Sequence, residues 1–492
     1  MGGCPAQPSN QGLVLATFNK FFEWLLGSQP IGPVTPSVSG VLHTVEAKFK
    51  RDEEYESSPG IKEALASIDG GNPATLIAGR AGTGKTRFVQ YLRKRPGGEL
   101  QATVAPTGVA AWNAEAQTIH SFFRFPPTIL DARNLSRNGN FGTLYRRMKR
   151  LVIDEISMVR ADLIDAIDAR LRDLREDDRP FGGVQIVMVG DFLQLPPVVQ
   201  DEDWPLLHGL GYKAPYAFSA HALESMQITP VILDRVWRQD DREFLEILAQ
   251  IRSGESLEEA TLRLNKRCAR PHRDGIKPLF LTATRAAAET YNRHGLAALG
   301  AKRVGFRAQV DGSFRITRNS LPVPEYLELA VGARVMAVKN DMQGRWVNGS
   351  LGTVTGLIQD GAFVVFDRTQ QEHLVSRVSW EKVEQRWNNA QKRIIESKRG
   401  AFRQIPLIPA WAVTIHKAQG LTLDDVRLDL GAGAFAFGQA YVALSRVRSL
   451  SGLSFAQPLR PDDVHVDPIL SAFMKWIQSE QFAETNSSPA LR

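Results

Sequence analysis

The stretch GRAGTGKT, residues 79–86, carries the clearest chemical signature in this chain. Its glycines let the backbone turn N–H groups toward phosphate oxygens, and a helix starting at its end would add the positive end of a dipole. Lys85 can reach the β- and γ-phosphates of a nucleotide, and Thr86 can ligate Mg²⁺. The apolar run before the stretch and the helical pattern after it are the context that this motif requires. We therefore predict a nucleoside triphosphate site formed by Gly79, Ala81, Gly82, Thr83, Gly84, Lys85 and Thr86.

Two carboxylates follow the next clear strand signal, in IDEIS, residues 153–157. The carboxyl ends of parallel strands form the edge at which α/β sites lie. Asp154 is therefore expected to hold Mg²⁺, and Glu155 to polarise the attacking water. Most Asp-Glu pairs are solvated surface charges, but a pair that follows a strand downstream of a phosphate-binding loop favours catalysis.

VMVGDFLQLPPV, residues 187–198, has the same form, because an apolar strand ends in Gly-Asp and Gln194 follows on the loop. A glutamine at that place can hydrogen-bond the γ-phosphate or its water. Hydrolysis also needs positive charge against the developing negative charge, and neither quoted stretch contains an arginine. Arg238 in RVWRQ and Arg446 in YVALSRVRS are the two candidates, and we expect both to come from a second α/β unit.

The bulk composition indicates a multidomain globular protein. The 492 residues are 43% hydrophobic, a length that suits about two to four domains. The only cysteines are Cys4 and Cys268, which excludes a disulfide scaffold and a four-thiolate zinc site. No apolar run approaches the roughly 20 residues that span a bilayer. The net charge of +7 favours a polyanionic partner without specifying one.

Hydrophobic periodicity divides the chain into regions of different character. From residue 61 to about 230, strand-like runs alternate with helical patterns, which predicts an α/β fold with a parallel sheet. A second α/β unit is expected to begin near residues 228–239. Between about 305 and 400, period-two alternation predicts a β-rich insertion. We interpret the charged run at 48–56 as a solvated face, and the tail after about 460 as polar and partly disordered.

Nine motifs occur in an order that resembles a known enzyme family. They are GRAGTGKT (79–86), APTGVAA (105–111), TIHSFF (118–123), LVIDEISM (151–158), PFGGVQIVMVGDFLQLPPV (180–198), VWRQ (236–239), VNGSLGTV (347–354), TIHKAQGLT (414–422) and YVALSRVRS (441–449). The set resembles the PIF (petite integration frequency) helicases and their RecD-like relatives, in superfamily 1, group B. The resemblance covers roughly residues 61–455.

The resemblance implies two tandem RecA-like P-loop domains with ATP and Mg²⁺ bound between them. It implies a monomeric motor that moves 5′→3′ on single-stranded DNA and unwinds duplex junctions in replication, repair or recombination, at the nucleoid in the cytoplasm if bacterial. Gln419 and Gly420 would complete the nucleotide site, with Arg238 and Arg446 as arginine fingers. The chain is then expected to contain a first domain (61–232) with a wedge insertion (124–150). A second domain (233–304 and 404–458) would carry an inserted β-barrel (305–403). The remaining parts are an N-terminal extension (1–60) and a C-terminal tail (459–492).

Strand-binding candidates follow the motif loops, because hydroxyl and backbone N–H groups suit phosphate oxygens. The tripeptide Thr-Ile-His occurs twice, once in each predicted α/β unit. A lone histidine is more often structural, so the assignment to DNA depends mainly on the family. The candidates are Pro106, Thr107, Gly108, His120 and Ser121 in the first unit, and Thr414, His416 and Lys417 in the second.

One departure and two alternatives remain at this point. Family members commonly carry a glutamine upstream of the phosphate-binding loop that reads adenine, but residues 30–80 contain none. Adenine selectivity through that contact is therefore in doubt. The alternatives to a helicase are a RecD-like motor subunit of a nuclease complex and a DNA-stimulated ATPase switch that does not unwind.

Overall fold

The structure is a computed structural model that describes residues 51–479 apart from 96–97, 136–141, 240, 269–277, 313–320, 389, 392, 432 and 435. Most of the predicted N-terminal extension therefore lies outside the described residues. Among the helices that are described, none is long and apolar enough to cross a membrane.

The elements are numbered in chain order. The helices are α1 (Arg51–Glu56), α2 (Pro59–Asp69), α3 (Lys85–Lys94), α4 (Gly108–Asn113), α5 (Ile119–Phe123), α6 (Gly142–Arg147), α7 (Ala161–Arg175), α8 (Asp203–Gly209), α9 (His221–Glu224), α10 (Arg242–Ser253), α11 (Leu257–Cys268), α12 (Arg285–Ala298), α13 (Ile415–Ala418), α14 (Gln439–Leu444) and α15 (Pro468–Ile477). The strands are β1 (Ala74–Gly79), β2 (Gln101–Ala105), β3 (Gln117–Thr118), β4 (Arg150–Ile153), β5 (Gln185–Gly190), β6 (Ile228–Leu233), β7 (Leu279–Thr282), β8 (Val304–Arg307), β9 (Gln309–Gly312), β10 (Tyr326–Leu329), β11 (Arg334–Ala337), β12 (Leu351–Ile358), β13 (Gly361–Phe366), β14 (Glu372–Ser376), β15 (Val378–Asn388), β16 (Arg393–Gln404), β17 (Leu407–Pro409), β18 (Ala412–Thr414), β19 (Val426–Asp429) and β20 (Leu453–Phe455).

The first domain is built on a parallel six-stranded sheet in the order β3-β2-β4-β5-β1-β6. Its inner strands read as continuous apolar runs because helices cover both faces. The predicted α/β fold is thus confirmed. The expectation that residues 228–239 open the second unit was wrong for the strand itself, since β6 pairs with β1. The second unit begins only after Leu233.

The second domain has a parallel four-stranded sheet in the order β18-β7-β19-β20. Helices α10, α11, α13 and α14 pack on it around a separate apolar core. Strands β8 to β17 are inserted between α12 and β18. They form three antiparallel sheets, of which the largest has the order β14-β13-β12-β11-β17 and so extends to Pro409, beyond the predicted boundary at residue 403.

The insertion and the region predicted as a wedge lie against each other. Strands β15 and β16 form a long hairpin that contacts α6 and residues 98–100 of the first domain. Part of the wedge region packs inward, since the Tyr145 hydroxyl donates to the carbonyl of Phe122 at 2.6 Å and both rings are in the first core. Residues 136–141 of that region lie outside the described residues.

The tail predicted to be polar and partly disordered contains a buried helix at residues 468–477, and residues 480–492 lie outside the described residues. Residues of α15 enter the core of the first domain, with Phe473 fully buried. Asp467 caps the helix by accepting from the N–H groups of Ile469 and Leu470. The prediction is wrong for residues 468–477, because this short apolar segment stands between polar stretches and the surface that buries it belongs to the distant first domain.

Candidate functional site

The phosphate-binding loop connects β1 to α3, as the motif predicts. Gly82 and Gly84 have φ of 83° and 88°, a conformation that favours glycine. A Cβ at Gly82 would lie 2.8 Å from Cβ of Arg238, so the loop also has no room for a side chain. The Lys85 ammonium donates to the carbonyls of Gly79 and Arg80, both at 2.9 Å. Burial lowers the pKa of Lys85, while Asp191 and Glu155 oppose that change.

Asp154 and Glu155 follow β4 at the same edge of the sheet. Asp154 is 2% exposed and accepts from the N–H of Glu155 at 2.9 Å. Burial, reinforced by Glu155, raises the pKa of Asp154 to about 7. Glu155 has φ of 52° and ψ of 46°, an uncommon left-handed conformation for a residue with a side chain. Among the described residues, Glu155 Oε2 has no hydrogen-bond partner, so it is available to a water or a hydrated cation.

The loop after β5, residues 191–195, is called the sensor loop here. Gln194 is 4% exposed, and its side-chain amide donates to Asp191 at 3.0 Å. Asp191 in turn accepts from Arg252 of α10 at 2.9 Å. Burial alone would raise the pKa of Asp191, but Arg252 and Lys85 hold it below its ordinary value. This ion pair joins the two domains, and the sequence analysis missed Arg252 because no motif surrounds it.

The two candidate arginines differ in origin. Arg446 comes from the second domain, as predicted; it is 2% exposed and close enough to Glu155 for the two charges to affect each other's pKa. Arg238 follows β6 of the first domain. Its guanidinium donates to Thr422 Oγ1 at 3.0 Å and to the carbonyls of Ser445 and Gly420 at 3.1 and 3.3 Å. Arg238 therefore lies in the segment that connects the two domains, and not within the second domain as expected.

Further groups from the second domain complete the cleft. The Tyr441 hydroxyl of α14 accepts from the N–H of Ala81 in the phosphate-binding loop at 3.1 Å. Gln419, predicted to lie at the nucleotide, is close to Glu155. Its Nε2 is buried without a hydrogen-bond partner among the described residues. The donors and acceptors left over at Gln419 and Glu155 fit a hydrated nucleotide phosphate between the domains.

A second missed residue, Tyr55 of α1, lies on the phosphate-binding loop. It is 1% exposed and donates to the carbonyl of Gly84 at 2.9 Å. The Arg87 guanidinium lies 4.3 Å from its ring centroid, and Trp237 packs at 5.9 Å. The interpretation of residues 48–56 as a solvated face is wrong at this position. A single aromatic residue among charges was the only signal available.

The two Thr-Ile-His stretches have the same local structure. Each threonine ends an edge strand and caps a short helix: Thr118 accepts from the N–H of Ser121, and Thr414 from that of Lys417, both at 3.3 Å. The isoleucines are fully buried. The histidines therefore lie at matching positions, each just beyond the carboxyl end of a parallel strand.

The other strand-binding candidates lie at the same ends of the sheets. Pro106 and Thr107 link β2 to α4, which begins at Gly108, and Thr107 Oγ1 accepts from the N–H of Ala110 at 3.2 Å. In the second domain, Thr414 and Lys417 line a cavity of about 710 Å³ between α12, β18 and the insertion. Sequence reasoning did not identify the other cationic and aromatic residues of its wall, which include Arg285, Arg307 and Tyr326.

The fold and site define a class of protein: a P-loop motor ATPase with two α/β domains and a nucleotide cleft between them. The family model described as PIF1-like helicase matches residues 61–261. Human ATP-dependent DNA helicase PIF1 is 33% identical over 487 residues, covering 94% of this chain and 71% of the human protein. The ATP-dependent DNA helicase Pif1 of Bdellovibrio bacteriovorus is 32% identical, covering 86% of this chain and 92% of that protein. The chain spans only 56% of the length of the mouse relative.

Solved structures give the same assignment. Bacteroides sp. Pif1 in complex with ADP-AlF4 superposes with a TM-score of 0.79 at 31% identity, covering 86% of this chain and 98% of that one. The Bacteroides protein bound to single-stranded DNA gives a TM-score of 0.63, also at 31% identity, covering 86% and 97%. The chain belongs to the PIF1-like family of ATP-dependent DNA helicases.

Proposed function

We propose that this helicase moves 5′→3′ along single-stranded DNA, using ATP and Mg²⁺, and separates duplex DNA at a junction. The observation that carries the proposal is the stretch from β18 through α13. Thr414, His416 and Lys417 are the proposed DNA contacts of the second domain and match the Thr118 stretch in local structure, and Gln419 follows close to Glu155 of the cleft. The proposed DNA contacts and the proposed nucleotide contact therefore lie within six consecutive residues, so a movement of this segment displaces both together.

At the nucleotide, Lys85 would neutralise the β- and γ-phosphates and Glu155 would orient the attacking water. Thr86 and Asp154 would hold Mg²⁺, which on binding would neutralise phosphate charge. Gln194 would hydrogen-bond the γ-phosphate or the water. Arg446 supplies positive charge from the opposite domain, where it can stabilise the charge that develops in the transition state.

The motor cycle follows from differential affinity for the two arrangements of the domains. Nucleotide binding favours the closed cleft, because Arg446 and Gln419 gain phosphate contacts only there. Closure of the cleft moves the DNA contacts around Thr414 toward those around Thr118, and hydrolysis of ATP allows the cleft to reopen. Solved structures of Bacteroides Pif1 bound to single-stranded DNA and of two coordinating Pif1 helicases at forked duplex DNA support a strand-bound motor of this kind.

Tailed duplexes test the direction of movement and the unwinding together. Purified protein, ATP and Mg²⁺ are added to identical duplexes that carry either a 5′ or a 3′ single-stranded tail. We expect strand separation from the 5′ tail only. Separation from the 3′ tail alone would reverse the direction. ATP hydrolysis stimulated by DNA without any separation would identify the non-unwinding switch.

Residues 124–150 are the proposed wedge, and the contact between α6 and the β15–β16 hairpin supports that role. The hairpin has seven Lys or Arg and three Glu between residues 378 and 404. A basic hairpin against the wedge suits the negatively charged strand at a junction. Deleting residues 136–141 should reduce unwinding while DNA-stimulated ATP hydrolysis continues.

A further inference from the structure

The segment from Ala456 to Ile477, called the strap here, leaves the second domain and ends inside the first. At its start the side-chain amide of Asn265 donates to the carbonyl of Leu459 at 2.8 Å and accepts from its N–H at 2.9 Å. The carbonyl of His465 then accepts from the N–H of Gly438 at 2.8 Å. Eleven residues beyond Leu459, Leu470 is part of the core of the first domain. The domains are therefore connected twice, by residues 234–241 and by the strap.

The far end of the strap is fixed to the first domain by polar and aromatic contacts. The Tyr216 hydroxyl donates to the Asp467 carboxylate, and both residues are 6% exposed. Phe473 stacks on Phe218 with ring centroids 4.0 Å apart. It also meets the edge of Phe192 at 5.0 Å. A buried polar anchor and three packed rings hold α15 in one position.

The strap reaches the sensor loop at two places, directly through Phe473 and indirectly through Gly438, which lies outside the strap. Phe192, which Phe473 contacts, lies between Asp191 and Gln194 in the chain. The second place is Gly438, which the carbonyl of His465 holds. A Cβ at Gly438 would lie 2.3 Å from the carbonyl oxygen of Gln194, so the two backbones are in direct contact. The Phe192 ring of the sensor loop is thus packed against Phe473 of the strap, and the Gln194 backbone is packed against Gly438, to which the strap is hydrogen-bonded.

We propose that Phe473 is a positioning residue for ATP hydrolysis, acting through Phe192 on Gln194. This rests on the proposed role of Gln194 at the γ-phosphate. The strap is attached to both domains, so it holds the sensor loop in register with the second domain when the cleft closes. Without the Phe473 ring, Phe192 loses one wall of its pocket and Gln194 is no longer held in the geometry that hydrolysis requires.

The test compares four variants at a temperature at which all are folded. Phe473→Ala should lower kcat for DNA-stimulated ATP hydrolysis about ten-fold, with KM for ATP changed by less than about two-fold. Phe473→Leu, which restores apolar volume, should recover most of kcat. Leu171→Ala is the matched control, because Leu171 is equally buried in the same core but lies on α7 beside Gly182. The kcat of Gln194→Ala tests whether the sensor loop takes part in ATP hydrolysis at all.

The outcomes separate this proposal from the one it rests on. A fall in kcat for Phe473→Ala and Gln194→Ala, with Leu171→Ala near wild type at a similar loss of Tm, supports the positioning role. Normal kcat in Phe473→Ala with a defective Gln194→Ala overturns the strap proposal alone. Normal kcat in Gln194→Ala overturns the role of the sensor loop. Equal losses in Phe473→Ala and Leu171→Ala would make Phe473 an ordinary core residue.

Discussion

At the residue scale, the cleft works by keeping charged groups out of water and next to one another. Asp191 is fully buried and is held ionised by Arg252 and Lys85. Asp154 is buried beside another carboxylate, and its pKa is correspondingly raised. Charge–charge interactions are strong in such surroundings. A substitution there should therefore change the chemistry of the cleft, and it should also lower stability where it leaves a buried charge without its partner.

Lys85→Ala should abolish unwinding and lower kcat for ATP hydrolysis by more than about 100-fold. Within the described part of the chain, the hydrogen bonds of the Lys85 ammonium go to the backbone carbonyls of Gly79 and Arg80, so its loss should leave the fold intact. Steady-state hydrolysis, strand separation and the thermal midpoint measured by circular dichroism check this. Substantial strand separation by the variant would contradict the assignment.

Arg446→Ala and Arg238→Ala should have different effects, because only Arg446 is close to Glu155. We expect Arg446→Ala to lower kcat by about 10³-fold with nucleotide binding retained. Arg238→Ala should mainly weaken the contact between domains and raise KM. Arg448→Ala is a matched control, since Arg448 lies nearby but is exposed and paired with Asp424. A normal kcat in Arg446→Ala would instead identify Arg238 as the residue that stabilises the negative charge of the transition state.

At the element scale, a strand, a capping threonine and one turn of helix form a unit that occurs in both domains. The cap fixes the direction of the helix, and the buried isoleucine fixes its rotation. The histidine beyond is therefore presented at the same place in each domain. Burial lowers the pKa of both His120 and His416, so each is neutral at pH 7 and would act as a hydrogen-bonding group.

His120→Ala and His416→Ala should each weaken stimulation of ATP hydrolysis by DNA, raising the DNA concentration for half-stimulation about ten-fold. Nucleotide binding without DNA should not change. Because both imidazoles are neutral, apparent DNA affinity should be the same at pH 7 and pH 8 in the wild type and in His416→Gln. Thr118→Ser, which keeps the cap, is the control. Normal stimulation in both alanine variants would make the histidines structural.

At the scale of the whole molecule, a buried ion pair and a tyrosine connect the domains across the cleft. Arg252→Ala leaves the Asp191 carboxylate buried without its guanidinium, which should lower the free energy of unfolding by about 3 kcal/mol. It should also reduce the closure caused by a nucleotide analogue. Urea denaturation and small-angle scattering measure the two effects. Arg252→Lys should be intermediate, and an unchanged urea midpoint would contradict the expectation.

The sequence predicted what is local and missed what depends on distant partners. The sequence predicts strands β1, β4 and β5 and the phosphate-binding loop, because apolar runs and glycine spacing are readable within one segment. Arg252, Tyr55 and Phe473 have no such signal. Each acquires its role from a partner that the chain reaches only after folding, respectively Asp191, Gly84 and Phe192. The expected start of the second unit near residue 228 and the placement of α15 in a separate tail failed for the same reason, whereas the limit at residue 232 lies within one residue of the end of β6.

The return of α15 to the first domain has a consequence for how the protein is made. A ribosome releases the first six strands, then the entire second domain, before it supplies Phe473. Domains ordinarily fold in the order of their synthesis. Here the first domain must wait, with the faces of Phe192 and Phe218 exposed, until the second has been translated. A premature stop codon anywhere between β6 and α15 would thus damage the domain that precedes it.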